Sequence, residues 1–139
     1  DCGVASYLKA HPLLKIKKIG LGTNNMAVGP AMSREAAIQS IEAGIELIEE
    51  ELAEGIDIVG TGDMGIANTT PSSAILSVLG RMDVVSATGR GTGLDEESIQ
   101  RKIHVIKKAI DVNQPNPNDA IDVLAKIGGY ESGGLAGLC

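Results

Sequence analysis

Apolar and polar positions change period several times along this chain, and each change marks an expected element. From Ser33 to about Glu54, Ile38, Ile41, Ile45, Ile48 and Leu52 recur three and four residues apart, which places them on one face of a helix. Glu46, Glu50 and Glu54 fall on the opposite face, flanked by Glu42 and Glu49. Carboxylates in step with the apolar stripe make a solvated face rather than a metal site. Ser33 is the expected N-cap and Gly55 the expected stop. Ile56-Asp57-Ile58-Val59 is a short, mostly apolar run between helical patterns, the signature of a strand buried in a parallel sheet. A helix over Ser72–Leu79 follows, entered through Thr70 as N-cap and Pro71 at the first helical position. Val84-Val85 reads as a short extended piece. Asp95 caps a further helix to about Val112, with Ile99, Ile103, Ile106 and Ile110 as its buried stripe. Asn113 to Asn118 reads as a linker. A last helix starts at Asn118 or Asp119, turns Ile121, Leu124 and Ile127 inward and stops at Gly128. Helices alternating with short apolar runs predict an α/β fold of three layers, a parallel sheet flanked by helices.

Between these elements lie two glycine-rich loops. The first, Gly60-Thr61-Gly62-Asp63-Met64-Gly65-Ile66-Ala67-Asn68-Thr69-Thr70-Pro71, runs from the expected strand into a helix start. Glycines allow a sharp turn and close approach to a ligand, and free amides at a helix start favour an anion. The loop therefore reads either as a phosphate or carboxylate site or as an ordinary strand-to-helix connection. The second runs from Thr88 to Gly93, with Arg90 inside it and Arg101 and Lys102 on the helix beyond. Neither loop has the Gly-Lys-Ser/Thr of a nucleotide-triphosphate loop or the spaced glycines of the dinucleotide fingerprint in its proper setting. The expected fold is thus Rossmann-like without that fingerprint, and any phosphate belongs to another small molecule.

Composition narrows the classes. A chain of 139 residues is long enough for one domain and too short for two ordinary ones. The net charge of −6 argues against nucleic acid as a partner, because phosphate backbones call for Lys and Arg. There is no Phe or Trp, and the only aromatic residues are Tyr7 and Tyr130, so the core must come from Ile, Leu, Val, Ala and Met. Cys2 and Cys139 sit at opposite ends and read as free thiols in a reducing cytosol, with no metal cluster. No apolar run approaches the length of a spanning helix, so the expected location is cytoplasmic, away from membranes. The lysines of Lys15-Ile16-Lys17-Lys18 read as a solvated face, with anion steering as the alternative. Thr23, Asn24 and Asn25 read as turn residues, with a polar substrate as theirs.

The segment Gly62-Asp63-Met64-Gly65-Ile66-Ala67-Asn68-Thr69-Thr70 resembles the central motif of the nicotinate-nucleotide–dimethylbenzimidazole phosphoribosyltransferases, which assemble the lower-ligand nucleotide of cobalamin. Gly89-Arg90-Gly91-Thr92-Gly93-Leu94-Asp95, followed by Arg101-Lys102, and Gly128-Gly129-Tyr130-Glu131 agree in order and spacing, so the resemblance covers nearly the whole chain. It implies transfer of phosphoribosyl from nicotinate mononucleotide to dimethylbenzimidazole, giving α-ribazole phosphate and nicotinate, with no cofactor; apolar surface exposed by a truncated chain predicts self-association into a homo-oligomer, expected to be a dimer. It places Gly65, Gly91, Gly93 and Lys102 on the phosphate, Asn68 on the ribose or base, and Asp63 in an auxiliary acidic role, one methylene shorter than the glutamate of similar enzymes. It also places a strand end near Asp1-Cys2-Gly3-Val4. The resemblance assigns the main base to a glutamate in a C-terminal part expected to lie outside this chain. The chain is therefore expected to be a single α/β domain over 1–139, an internal portion of a longer enzyme. The alternative is a catalytically silent phosphate-binding or structural fragment. Ala67 stands where the family usually has Gly, a strain if that backbone needs positive φ. Ser132-Gly133-Gly134 replaces a more helix-forming stretch, which predicts a weak final segment.

Overall fold

In the computed structural model, which describes residues 1–91, 93 and 95–139, the regular elements are helices: α1 (Arg34–Glu54), α2 (Thr69–Leu79), α3 (Val84–Ala87), α4 (Glu96–Asn113), α5 (Ala120–Ile127) and α6 (Tyr130–Leu138). Thr92 and Leu94 of the second glycine-rich loop lie outside the described residues. The caps follow the sequence at most starts. Ser33 Oγ accepts from the Ala36 amide at 3.1 Å, Asp95 Oδ1 from Ser98 at 2.8 Å, and Asp119 Oδ1 from Ile121 and Asp122, each at 3.1 Å. Each satisfies a first-turn amide that has no partner within its helix. Gly55 closes α1 in the left-handed conformation at φ 90°.

The expected parallel sheet does not form. An isolated antiparallel bridge between His11 and Leu14 is the only β pairing among the described residues, and the architecture is helical. The run Ile56-Asp57-Ile58-Val59 is irregular and outward, with Ile58 90% exposed. A parallel strand exists only where neighbouring strands complete its hydrogen bonds, and among the described residues no strand lies alongside to do so. Near the start, Asp1 and Cys2 accept backbone bonds from Lys17 and Ile19 at 3.1 and 2.9 Å, too little for a ladder. Val84-Val85 is likewise helical, because Asp83 Oδ2 accepts from the Val85 and Ser86 amides at 2.9 and 3.3 Å and caps the turn.

α5 is the hub. Val123 and Ile127 join Met26, Ala31, Ala74, Ile106 and Ala109 in one apolar cluster between α2 and α4. Leu124 and Ala125 join Met32 and Ala37 in a second cluster that leads to α1 and Tyr130. The loop before α1 is tied to the same hub. The Ala31 and Met32 amides donate to the Lys126 and Ala125 carbonyls at 3.0 and 2.9 Å, and Asn113 Nδ2 donates to the Met26 carbonyl at 2.7 Å. Asn24 and Asn25 serve turns here: the Asn24 amide pairs with the Ala31 carbonyl, and Asn25 Oδ1 accepts from Ala27.

α1 packs on α6 through a different face from the one its isoleucines suggest. Its buried residues are Ala37, Ser40, Ala43 and Gly44; of the apolar stripe, Ile41 and Ile48 are half-buried, while Ile38, Ile45 and Leu52 stay exposed. Gly133, Gly134 and Gly137 of α6 lie directly against this small-residue face. The segment expected to be weak is therefore a packed helix. Its glycines lower helix propensity, but they let two backbones approach, and that contact outweighs the propensity.

Candidate functional site

The sequence puts Lys102 on the buried side of α4, since Ile99, Lys102, Ile103, Ile106, Ala109 and Asn113 follow each other at helical intervals. Its side chain is 7% exposed. The ammonium donates to Thr69 Oγ1 at 3.1 Å and to the Gly89 carbonyl at 3.3 Å. Both partners are neutral. Burial holds the Lys102 pKa below the ordinary lysine value, because removing a charge from water penalises the charged form. Thr69 is the first residue of α2, so the cation also sits at the positive end of a helix dipole, where a positive charge is disfavoured. A buried cation with only neutral partners at a helix start is an arrangement that an anion completes.

Gly91 belongs to the same cluster. Its φ is 55°, a conformation that glycine adopts freely, and a Cβ there would lie 2.9 Å from Thr69 Oγ1 and 3.6 Å from Lys102 Nζ. Gly89 and Gly91 are themselves exposed. Asn68 precedes Thr69 and is 6% exposed. It occupies the N-cap of α2, two residues earlier than the expected Thr70, yet its side chain caps nothing. Its Oδ1 is buried without a donor among the described residues. Its backbone carbonyl accepts from the Ser72 amide and hydroxyl at 3.0 and 2.8 Å.

The remaining residues predicted from sequence are arranged differently. Asp63 is exposed, and its Oδ1 accepts from the Gly65 amide at 2.8 Å. That bond shapes the loop and occupies the amide expected to serve a phosphate. Gly65 has φ 70°. Gly93 has φ 104° and would have nothing within 4 Å of an added Cβ. The structure therefore gathers Lys102, Gly91 and Asn68 around Thr69, and pairs Asp63 with Gly65 separately. Of the other basic residues, Arg101 is exposed and pairs with Glu97 at 2.8 Å, and Arg90 stands 4.0 Å from Glu96. Thr69 and Gly89 are additions to the sequence reading; placing the N-cap at Asn68 instead of Thr70 brings Thr69 to the helix start. No group of three or more His, Cys, Asp or Glu suited to a metal occurs among the described residues.

Ala67 adopts φ 65°, so the strain foreseen for a non-glycine residue is present. Ala67→Gly is expected to stabilise the fold by about 0.5–1 kcal/mol, the left-handed strain less the greater unfolded freedom of glycine. A higher urea midpoint with unchanged slope checks this; an unchanged midpoint would mean the loop relaxes around Ala67 without strain.

Comparison with known proteins assigns the class. Residues 1–139 match the DBI_PRT family model, described as phosphoribosyltransferase, and the chain belongs to that family. Curated relatives carry the name nicotinate-nucleotide–dimethylbenzimidazole phosphoribosyltransferase. The one from Alkaliphilus metalliredigens is 56% identical over 99% of this chain and 40% of its own length. The one from Desulforudis audaxviator is 59% identical over 99% of this chain and 39% of its own length. The crystal structure of CobT from Thermus thermophilus superposes with a TM-score of 0.92 at 37% identity, covering 99% of this chain and 41% of that one. The chain thus spans about 40% of the length of the curated relatives it matches. No helix among the described residues is long and apolar enough to cross a membrane.

Proposed function

We propose that this chain supplies the nucleotide-phosphate site of an enzyme that transfers phosphoribosyl from nicotinate mononucleotide to dimethylbenzimidazole. The observation that carries this reading is the buried Lys102 ammonium, held by Thr69 and Gly89 beside Gly91 with no anionic partner among the described residues. A phosphate monoester bears close to two negative charges and several acceptor oxygens. Lys102, the Thr69 hydroxyl and the amides opening α2 offer donors of matching sign. Fixing the phosphate fixes the attached ribose. In the transfer, a ring nitrogen of the incoming base bonds to the anomeric carbon as the bond to nicotinate breaks, and the base's N–H proton passes to a general base. Such a step gains most from holding the ribose in place. Asp63 fits an auxiliary acidic role at the loop edge.

Calorimetry with nicotinate mononucleotide, with nicotinic acid as control, tests this. The nucleotide is expected to bind and the free acid not. No binding at millimolar nucleotide, with helical circular dichroism intact, would overturn the assignment of the phosphate to this chain.

A further inference from the structure

A lysine ammonium has three N–H donors. Thr69 Oγ1 and the Gly89 carbonyl take two of those on Lys102, so the positions of these acceptors set where the remaining N–H points. Thr69 is fixed by its place in the first turn of α2. Gly89 lies outside the helices, is exposed, and would have nothing within 4 Å of an added Cβ, so its carbonyl depends on the chain that leads to it. That chain is tied at several points. At the end of α2 the Met82 and Arg81 amides donate to the Ser77 and Val78 carbonyls at 3.0 and 3.4 Å, a Schellman closure with Arg81 left-handed at φ 50°. Ser77 Oγ adds a bond to the Met82 carbonyl at 2.7 Å. Asp83 then caps α3. Thr88, directly before Gly89, closes it: the hydroxyl donates to the Val84 carbonyl at 2.6 Å and the amide to the Val85 carbonyl at 3.3 Å. A helix of four residues is too short to hold its shape by its own backbone bonds, and side-chain oxygens at its two ends do so here.

We infer that Thr88 is a positioning residue: by bonding Val84 it holds the Gly89 carbonyl on Lys102 and so aims the remaining N–H of the ammonium at the bound anion. This rests on the phosphate reading of Lys102 above and adds to it a residue that does not itself touch the phosphate. An acceptor fixed before the ligand arrives need not be ordered at binding, which favours affinity.

Calorimetry with nicotinate mononucleotide tests this on the wild type, on Thr88→Val, which keeps the branched shape without the hydroxyl, and on Thr88→Ser, which keeps the hydroxyl. Thr88→Val should bind about 2- to 12-fold more weakly, the range of one neutral hydrogen bond, and Thr88→Ser should match the wild type. The pH profile supplies a readout that a merely structural threonine would not move. In Thr88→Val the charged ammonium loses a held acceptor, so affinity should begin to fall at a lower alkaline pH than in the wild type. The neighbouring elements leave this limb to Lys102. α2 and α3 contain no titratable residue, and Asp83 is committed to the α3 cap. The other ionisable residues of α4 are exposed, with Arg101 paired to Glu97 and Arg90 of the preceding loop 4.0 Å from Glu96. Asp122 and Lys126 of α5 pair with each other. Equal affinity of Thr88→Val and wild type overturns the inference and leaves the phosphate reading standing. A weaker Thr88→Val with the wild-type pH profile overturns it too, because the loss then does not pass through Lys102. Weakened binding by Thr88→Ser also overturns it, whether or not Thr88→Val folds, since the hydroxyl is still present. Failure of the wild type to bind the nucleotide removes both readings.

Discussion

Lys102→Met should lose phosphate-ester affinity by about 10- to 150-fold while the protein becomes no less stable, the range expected for one hydrogen bond to a charged group of about 1.5–3 kcal/mol. The two effects have one cause. Without an anion, the ammonium is buried against Thr69 and Gly89, which stabilise it less than water would. Methionine fills a similar volume without a charge. The pH dependence separates this from a general loss of packing. The Lys102 pKa is lowered in the fold by burial, whereas an unfolded lysine titrates at its ordinary value. Below the depressed pKa both states are protonated and the burial penalty is complete. As pH rises through the depressed pKa, the native state sheds its proton before the unfolded chain does, so stability rises until the ordinary lysine range is passed. Phosphate affinity has the opposite sign: it falls as pH rises through the same pKa, because the charge that holds the anion is lost. Wild type should show both trends and Lys102→Met neither. Chemical denaturation and calorimetry over an alkaline pH series check them. A variant that binds phosphate esters as tightly as wild type would remove Lys102 from the site.

The second large effect lies between α1 and α6. Gly44→Ala should destabilise the chain by about 3 kcal/mol, although alanine is the better helix former by about 1 kcal/mol. A Cβ at Gly44 would run into the Gly134 carbonyl oxygen, and one at Gly137 into the Ile41 carbonyl oxygen. These obstacles are backbone and cannot rotate away, so the helices must separate. Separation would pull Ala37 out of the cluster it forms with Leu124 and Ala125. Against a whole-protein stability of about 5–15 kcal/mol, that is a large fraction. Gly137→Ala should behave alike, and the double variant should cost less than the sum, since helices already parted by one methyl accommodate the second. Gly55→Ala, with an open left-handed cap, is the control for backbone strain without a clash. Urea unfolding measures all four variants. A Gly44→Ala protein as stable as wild type would mean that the helices do not meet as closely as described.

Much of the site could be read from the chain because it is written locally. The glycine-rich loops were expected to turn sharply, and Gly65, Gly91 and Gly93 within them all have positive φ. Ala67 carries the backbone strain its position implied. Lys102 could be picked out by its place after a glycine-rich loop, but its burial and its bond to Thr69, 33 residues away in sequence, are tertiary facts. Asn68 was legible as a polar residue at a helix start, but not as one whose side chain leaves that helix uncapped. The sheet was the wrong inference. Apolarity at Ile56, Ile58 and Val59 states that these residues favour burial, and only a partner strand can supply it.

By itself, then, the sequence determined where α1, α4 and α5 begin and which caps hold them, which loops bend through glycine, and, through its ordered motifs, the family. Those features depend on neighbours within a few residues, and short-range sterics and hydrogen bonding suffice to set them. The tertiary structure alone decided which face of α1 is inside, since Gly44 and Ala37 win over the isoleucines only when the glycines of α6 lie opposite. It decided that the expected strand stays unpaired. It also brought a lysine from α4, a threonine from α2 and a loop carbonyl into one cluster, because the burial of Ile103 and Ile106 on the same helix face carries Lys102 inward with them.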